Sequence, residues 1–342
     1  QYTGFVDGSN ITVTYNWTGR TITLSGTNLN YYWRGELHTG LTSPWTSDPH
    51  TNSVGIWYLY STDGETFTWS NGVWNFSEIQ VAAVSYKSTA AESFGSRETH
   101  KLMYQWSHEE FHQTMGAYHI SGGELTNGTY AENVYTDDAV TPGFNAAVIK
   151  DEDLQSSIPQ WTQGTYTIVY ISGSTSIYNT GSSYPFIAAG ANQYIQVNNA
   201  TTGTMTTGIN NRYYNVYQIL LPATADVDSQ RYRMLMLQPQ QTHTSLAAAR
   251  AEDTKGLQLG NLSNFSPEFV IYARITYFTE NGQTNYGKCC IATGGVTYLT
   301  GTHYSQVSVA GISSSNHAVL SNLTWTDSGH IGTISQLAGF DE

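Results

Sequence analysis

Three segments of this chain alternate apolar and polar residues on both sides of a tight-turn dipeptide, and that pattern constrains the fold more than any other feature. ITVTYNWTGRTITLSG (11–26) turns at Thr18-Gly19, GIWYLYSTDGETFTWS (55–70) at Asp63-Gly64, and FVIYARITYFTENGQTNYGKCCIAT (269–293) at Asn281-Gly282. A period of two places alternate side chains on opposite faces of a strand, and a Gly-containing dipeptide between two such runs closes a hairpin. Further strand-like runs occur at 79–86, 164–173, 192–199, 213–224 and 231–240, separated by polar, turn-rich joints. Their spacing predicts an all-β protein built of β-sandwich or jelly-roll-like modules.

Composition supports this reading. Only 11% of the residues are charged, whereas Gly (32), Tyr (25) and Trp (9) are plentiful, a mixture that favours pleated strands and turns. Two stretches are candidate helices: SRETHKLMYQWSHEEFHQTM (96–115), free of Gly and Pro, and the short, Ala-rich TSLAAARAEDTK (244–255). The acidic run KDEDLQSSIP (150–159) reads as a solvated joint. It divides the chain into an N-terminal β module (1–155) that includes the histidine-bearing helix, a second β module (156–310) and a C-terminal linker or tail (311–342).

The formal charge of −13, from 13 basic and 26 acidic residues, argues against a nucleic-acid partner, which requires concentrated positive charge. No apolar run approaches the roughly 18 residues of a membrane-spanning helix. The chain begins with Gln rather than Met, and reads as a piece of a longer polypeptide. Cys289 and Cys290 are adjacent, so in a strand their side chains point apart and do not pair.

HEEFH (108–112) carries the sharpest chemical question. On a helix His108 and His112 share a face, with Glu109 in the place of a zinc peptidase's general base, and His119 follows. The longer zincin pattern puts a Gly three residues after the second His and a third His three residues beyond it. Here Gly116 and His119 each arrive one residue late, and a strand-rich composition does not supply a peptidase's helical catalytic domain. Two other readings stand beside hydrolytic zinc. In the favoured one, His100, Tyr104, His108 and His112 form an i, i+4 packing stripe. In the other, a histidine among His108, His112 and His119 supplies a purely structural metal site, one per chain where identical chains meet on a three-fold axis.

Asp137, Asp138, Asp151, Glu152 and Asp153 are candidate carboxylate pairs for glycosidic chemistry, which needs two carboxyls about 5 to 10 Å apart across a sugar bond. No GxSxG, phosphate-binding or dinucleotide-binding motif is present. Trp33, Trp45, Trp69 and Trp74 lie beside Gly-rich turns and are candidate surface rings for binding a glycan or a protein, the alternative for each being to fill the core.

The order GFVDGSNITVTYNWTGRTITLSGT, YYWRGE, WYLYSTDGETFTWS, SRETHKLM and HEEFHQTMGAYHISGGEL resembles fibre and spike proteins of tailed bacteriophages over the first 155 residues. NHAVLSNLTWTDSGHIGTISQLAGFD (316–341) is similar to linker segments between modules of such fibres. The resemblance implies a homotrimeric virion protein, assembled in the bacterial cytoplasm, that joins other virion proteins or meets a host-surface glycan or protein. It implies no enzymatic activity, no membrane insertion and no cofactor, a structural metal ion at the histidines being the alternative. A carbohydrate-degrading spike and a zinc metallopeptidase are the rival functions.

Overall fold

The computed structural model describes residues 2–72, 78–88, 92–199, 201–223, 233–265 and 268–299. The protein is all-β, as its alternating pattern predicts, with several mainly antiparallel sheets and little helix.

All three marked hairpins form, each closed differently. Thr12–Asn16 pairs with Thr21–Ser25, and the positive φ of its loop (57°) falls on Arg20, not on Gly19. Asn16 Oδ1 instead accepts the Gly19 amide at 2.9 Å. Gly55–Ser61 pairs with Phe67–Ser70, and Asp63 Oδ1 organises the turn by accepting from the amides of Glu65 (2.8 Å) and Thr66 (2.7 Å) and from Ser61 Oγ (3.0 Å). Those bonds hold the Asp63 carboxyl well below the usual carboxylate range. Val270–Thr279 pairs with Cys289–Tyr298 across a longer loop in which Gly282 takes a φ of 89°.

The described residues belong to one compact unit organised around two central sheets. The first has four strands, in the order Phe94–Arg97, Ile79–Tyr86, Gly55–Ser61, Phe67–Ser70. The second has six: Thr175–Ser182, Tyr166–Ser172, Met234–Leu237, Tyr213–Leu220, Val270–Thr279, Cys289–Tyr298.

Both sheets are covered on both faces, which explains strands such as IQVAAVSY and MLML that are buried at every position. Ile56 and Tyr58 enter the core between the two sheets, whereas Trp57 and Leu59 enter a core on the other side, shared with the Thr12–Asn16 and Thr21–Ser25 hairpin. In the same way Leu235 and Leu237 face the inter-sheet core, while Met234 and Met236 face a third core under the small sheet Ala117–Gly122, Ala147–Asp151, Leu154–Ile158. Period-two alternation thus partitions each strand between neighbouring cores.

The many tyrosines pack because their hydroxyls are satisfied. Tyr166, Tyr217 and Tyr277 are almost wholly buried, and donate to Pro142 O (2.6 Å), Glu252 Oε2 (2.8 Å) and Val140 O (3.0 Å). Burying a large apolar body contributes about 1.5–3 kcal/mol, and the hydroxyl bond avoids the penalty of an unpaired polar group.

Several sequence expectations need revision. The helix expected over 96–115 is confined to Gln105–Thr114; Phe94–Arg97 is instead a strand paired with 82–85, and Met103–Tyr104 pairs with Tyr2 and Thr3. Long-range pairing overrides the local helix propensity there. The second candidate helix is shorter than expected, Leu246–Arg250, capped by Ser245 Oγ accepting from the Ala248 amide at 3.1 Å. The run 150–159 is not a solvated joint: it is the tip and second strand of a hairpin, with Asp151 and Glu152 buried. A module boundary at 155 therefore falls inside the strand Leu154–Ile158, and the inter-sheet core joins residues 56–94 to residues 169–271. Residues 311–342, expected as a linker, lie outside the described residues. Cys289 and Cys290 are both buried and free.

A buried histidine and carboxylate cluster as candidate functional site

Helical spacing puts His108 and His112 on the inner face of Gln105–Thr114, where both are buried. What they meet comes from three distant segments. Glu98 and His100 follow the strand Phe94–Arg97; Asp151, Glu152 and Asp153 form the tip of the hairpin between Ala147–Asp151 and Leu154–Ile158; Glu268 precedes Val270–Thr279.

His100 is the hub. Its Nδ1 lies 2.7 Å from Asp153 Oδ1 and 3.6 Å from Glu152 Oε2, and its Nε2 lies 3.4 Å from Glu98 Oε2 and 3.9 Å from Asp151 Oδ2. Glu152 Oε2 is also 3.3 Å from His108 Nε2, and Glu152 Oε1 is 3.6 Å from His112 Nδ1. His112 Nδ1 in turn lies 2.8 Å from Glu268 Oε1. The side chains of Glu98, Asp151, Glu152 and Glu268 are each 1% exposed.

The segment bearing His100 is seated by close backbone approach. A Cβ on Gly8 would stand 1.9 Å from Thr99 O, and Thr99 Oγ1 donates to Gly8 O at 3.0 Å. Glu152 holds a φ of 49° at the hairpin tip, a conformation costly for a non-glycine residue.

So many acids in a buried space force protons onto some of them. Burial, reinforced by Glu268 and Glu98, pushes the Asp151 carboxyl well up. Burial and the charge of Glu98 do the same to Glu268. Burial alone would push His100 down, but Asp153, Glu98, Glu152 and Asp151 outweigh it and hold the imidazole well above its ordinary value. His108 is pushed well below its ordinary value by burial and by the charges of His100 and His112.

Among the described residues two overlapping sets offer ligand atoms mutually within 4.8 Å, His100–His108–Glu152 and Glu98–His100–Asp151. Imidazole and carboxylate donors together suit a divalent first-row ion.

The structure distributes the remaining sequence candidates elsewhere. His119 stacks on Tyr272 at 4.1 Å, and its Nε2 donates to Gly122 O at 2.7 Å; His100 takes the place in the cluster that His119 was expected to fill. Tyr104, expected in the histidine stripe, is exposed, its ring tilted against that of Tyr2 with centroids 4.1 Å apart. Glu109 is exposed and accepts from Gln113 Nε2 at 3.2 Å, so the peptidase's general base is not beside the histidines. Asp137 and Asp138 are exposed at a 3-10 turn, Asp137 Oδ1 accepting the Tyr286 amide at 2.8 Å, whereas Asp151 and Glu152 are buried. An open cleft of about 450 Å³ is lined by Ser9, Asn10, Ile11, Thr12, Val13, Arg97 and Arg233, with no carboxylate.

Trp33, Trp45 and Trp69 are partly buried against the outer core. Trp33 Nε1 donates to Glu78 Oε2 (3.0 Å), Trp45 packs on Phe67 (5.0 Å between centroids), and Trp69 Nε1 donates to Asp48 O (2.7 Å). Trp74 lies outside the described residues. Among the described residues the most exposed large rings are Trp106 at 69%, Tyr2 and Phe111 at 44% and Tyr104 at 40%; of these the sequence singles out only Tyr104, and as a packing residue.

The fold and site together define an all-β, multi-sheet protein with a buried histidine–carboxylate cluster. The chain matches no family model, no curated protein and no solved structure.

Proposed function

We propose that the chain is a structural subunit without enzymatic activity, of the bacteriophage tail-fibre or spike type. It works as a homotrimer that joins parts of the virion or carries it to the host surface. One observation carries this reading: the helix Gln105–Thr114 is inverted. It buries its histidines and turns apolar side chains outward, Trp106 at 69% exposure, Phe111 at 44% and, at its end, Met115 at 42%. Trp106 continues a ladder of rings through Tyr104 (centroids 6.4 Å apart) to Tyr2 (4.1 Å). Contiguous exposed rings on a chain with few charges are the signature of a protein-binding face, and identical subunits meet such faces by symmetry.

The resemblance of residues 1–155 to phage fibre and spike proteins points to the same setting, and the exposed Glu109 speaks against peptidase chemistry. The test is quantitative mass spectrometry of gradient-purified phage particles. This chain should be recovered at a fixed copy number that is a multiple of three; its absence from intact particles, or its presence only in the soluble fraction, contradicts the proposal.

A further inference from the structure

The histidine–carboxylate cluster is more than packing. Neither carboxylate oxygen of Glu152 has a hydrogen bond of normal geometry, and Asp151 and Glu268 meet only each other and the imidazoles of the cluster, although each of these side chains is 1% exposed. Buried carboxylates are ordinarily satisfied, because each unmet oxygen costs about 1–3 kcal/mol, more when charged. Here three of them point into one space beside three imidazoles. A cation answers both the missing bonds and the excess of acid.

A cavity of about 10 Å³, walled by Glu98, His100, His108, Gln80, Thr3 and Gly4 among others but not by Asp151 or Glu152, borders the cluster on one side. That is about the size of a single water-sized sphere.

His100 decides which donors meet the ion. Its Nδ1 lies 2.7 Å from Asp153 Oδ1 and donates its proton there. That leaves Nε2, which faces Glu98 Oε2 and Asp151 Oδ2, as the ligand atom. A carboxylate holding the far nitrogen of a ligand imidazole is the usual outer support of a metal-bound histidine. Glu98 is braced in the same manner, its Oε1 accepting from Ser96 Oγ at 2.6 Å.

We propose that this cluster is an intrachain, structural binding site for one divalent first-row transition ion, held by His100 Nε2, Glu98 and Asp151, with His108 and Glu152 as the adjoining donors. The ion replaces whatever protons the ligand nitrogen and the ligand carboxyls carry, and these leave to solvent. Imidazole among the ligands selects Zn²⁺, Mn²⁺, Co²⁺ or Ni²⁺ over Ca²⁺ and Mg²⁺, which prefer oxygen alone. The site staples the strand end at 94–97, the helix Gln105–Thr114 and the hairpin tip at 151–153. All its ligands come from one chain, so it stands or falls independently of the trimer.

The test uses the full chain purified without a metal-affinity tag, stripped with EDTA and returned to Zn²⁺, Mn²⁺, Co²⁺ or Ni²⁺. Calorimetry should give one ion per chain, chelation should lower the melting temperature, and add-back should restore it. Zn-edge X-ray absorption of the wild-type chain should show imidazole scattering, a readout that needs no variant. Asp151→Asn and Glu98→Gln should each weaken binding by at least about tenfold, whereas His119→Gln should leave it unchanged. If none of the four ions binds or shifts the melting temperature, the proposal is overturned. Restoration by Ca²⁺ or Mg²⁺ alone, an absorption edge without imidazole, or undiminished binding in folded Asp151→Asn overturns it equally.

Discussion

Asp153 Oδ1 stands 2.7 Å from His100 Nδ1 and, through Oδ2, accepts the Lys101 amide at 3.0 Å, so one hairpin-tip carboxylate fixes both the ring and the backbone of a segment 53 residues away. This contact binds the hairpin of the small sheet to the strand end that precedes the helix. The buried ring and the less buried acid make a charge-assisted pair, which draws the Asp153 carboxyl below its ordinary value against the effect of burial.

Removing one partner of such a pair leaves the other charge uncompensated, a loss of about 3–5 kcal/mol where both groups are deeply buried. Asp153 is 24% exposed, so Asp153→Asn should fall at or below the lower end, with Asp153→Ala losing more because the Lys101 amide also loses its acceptor. Urea unfolding of the EDTA-treated protein measures this apart from any metal contribution; an unchanged midpoint would contradict the role given to the pair.

Gly8 is a position where no other residue fits. A methyl group there meets Thr99 O at 1.9 Å, and relieving that overlap must displace the segment carrying His100. Gly8→Ala should destabilise by about 1–3 kcal/mol, read by thermal melting. Gly40→Ala is the control for replacing a glycine without collision, since Gly40, like Gly8, does not hold a positive φ and nothing lies near its Cβ position.

His50 sets a pH dependence in the outer core. Its Nε2 accepts from Tyr15 Oη at 2.9 Å, its Nδ1 donates to Thr51 O at 2.9 Å, and Trp57, Trp69 and Tyr86 surround the ring. Burial pushes its pKa down; the Thr51 bond opposes this and the Arg20 charge adds to it. A histidine whose folded value lies below its unfolded one favours the unfolded state on protonation. Stability is therefore fully present above the unfolded value of about 6.5 and declines as pH falls through it, levelling below the folded value. The difference in unfolding free energy between wild type and His50→Gln should shrink from pH 7.5 to pH 5; a constant difference would rule out this contribution.

Trp106 separates assembly from folding. At 69% exposure it contributes little to the subunit's own core. Trp106→Ser should leave the circular dichroism spectrum and the stability of isolated subunits within about 0.5 kcal/mol while weakening self-association. A variant that unfolds, or that associates as the wild type does, contradicts the assignment of this face.

The hairpins, the all-β class and the inward face of HEEFH could be read from the chain because each is written in neighbouring residues. The cluster could not, since Glu98, His100, Asp151 and Glu268 come together only through strand pairing and sheet stacking over long separations. His119 drew attention through its nearness to HEEFH, yet the strand Ala117–Gly122 carries it to Tyr272. The acids at 151–153 had the composition of a solvated loop. A better clue was the alternation on either side of them, AVIKD and LQSSI, which makes them the tip of a half-buried hairpin. The helix at 96–115 was overestimated because its first residues have helical propensity but are claimed by the strand at 82–85 and by the cluster.

Sedimentation equilibrium of the purified full chain across micromolar concentrations tests the central claim most directly. A homotrimeric fibre or spike subunit should give three times the chain mass, falling toward one on Trp106→Ser. A single-chain mass for the wild type throughout that range would contradict the account.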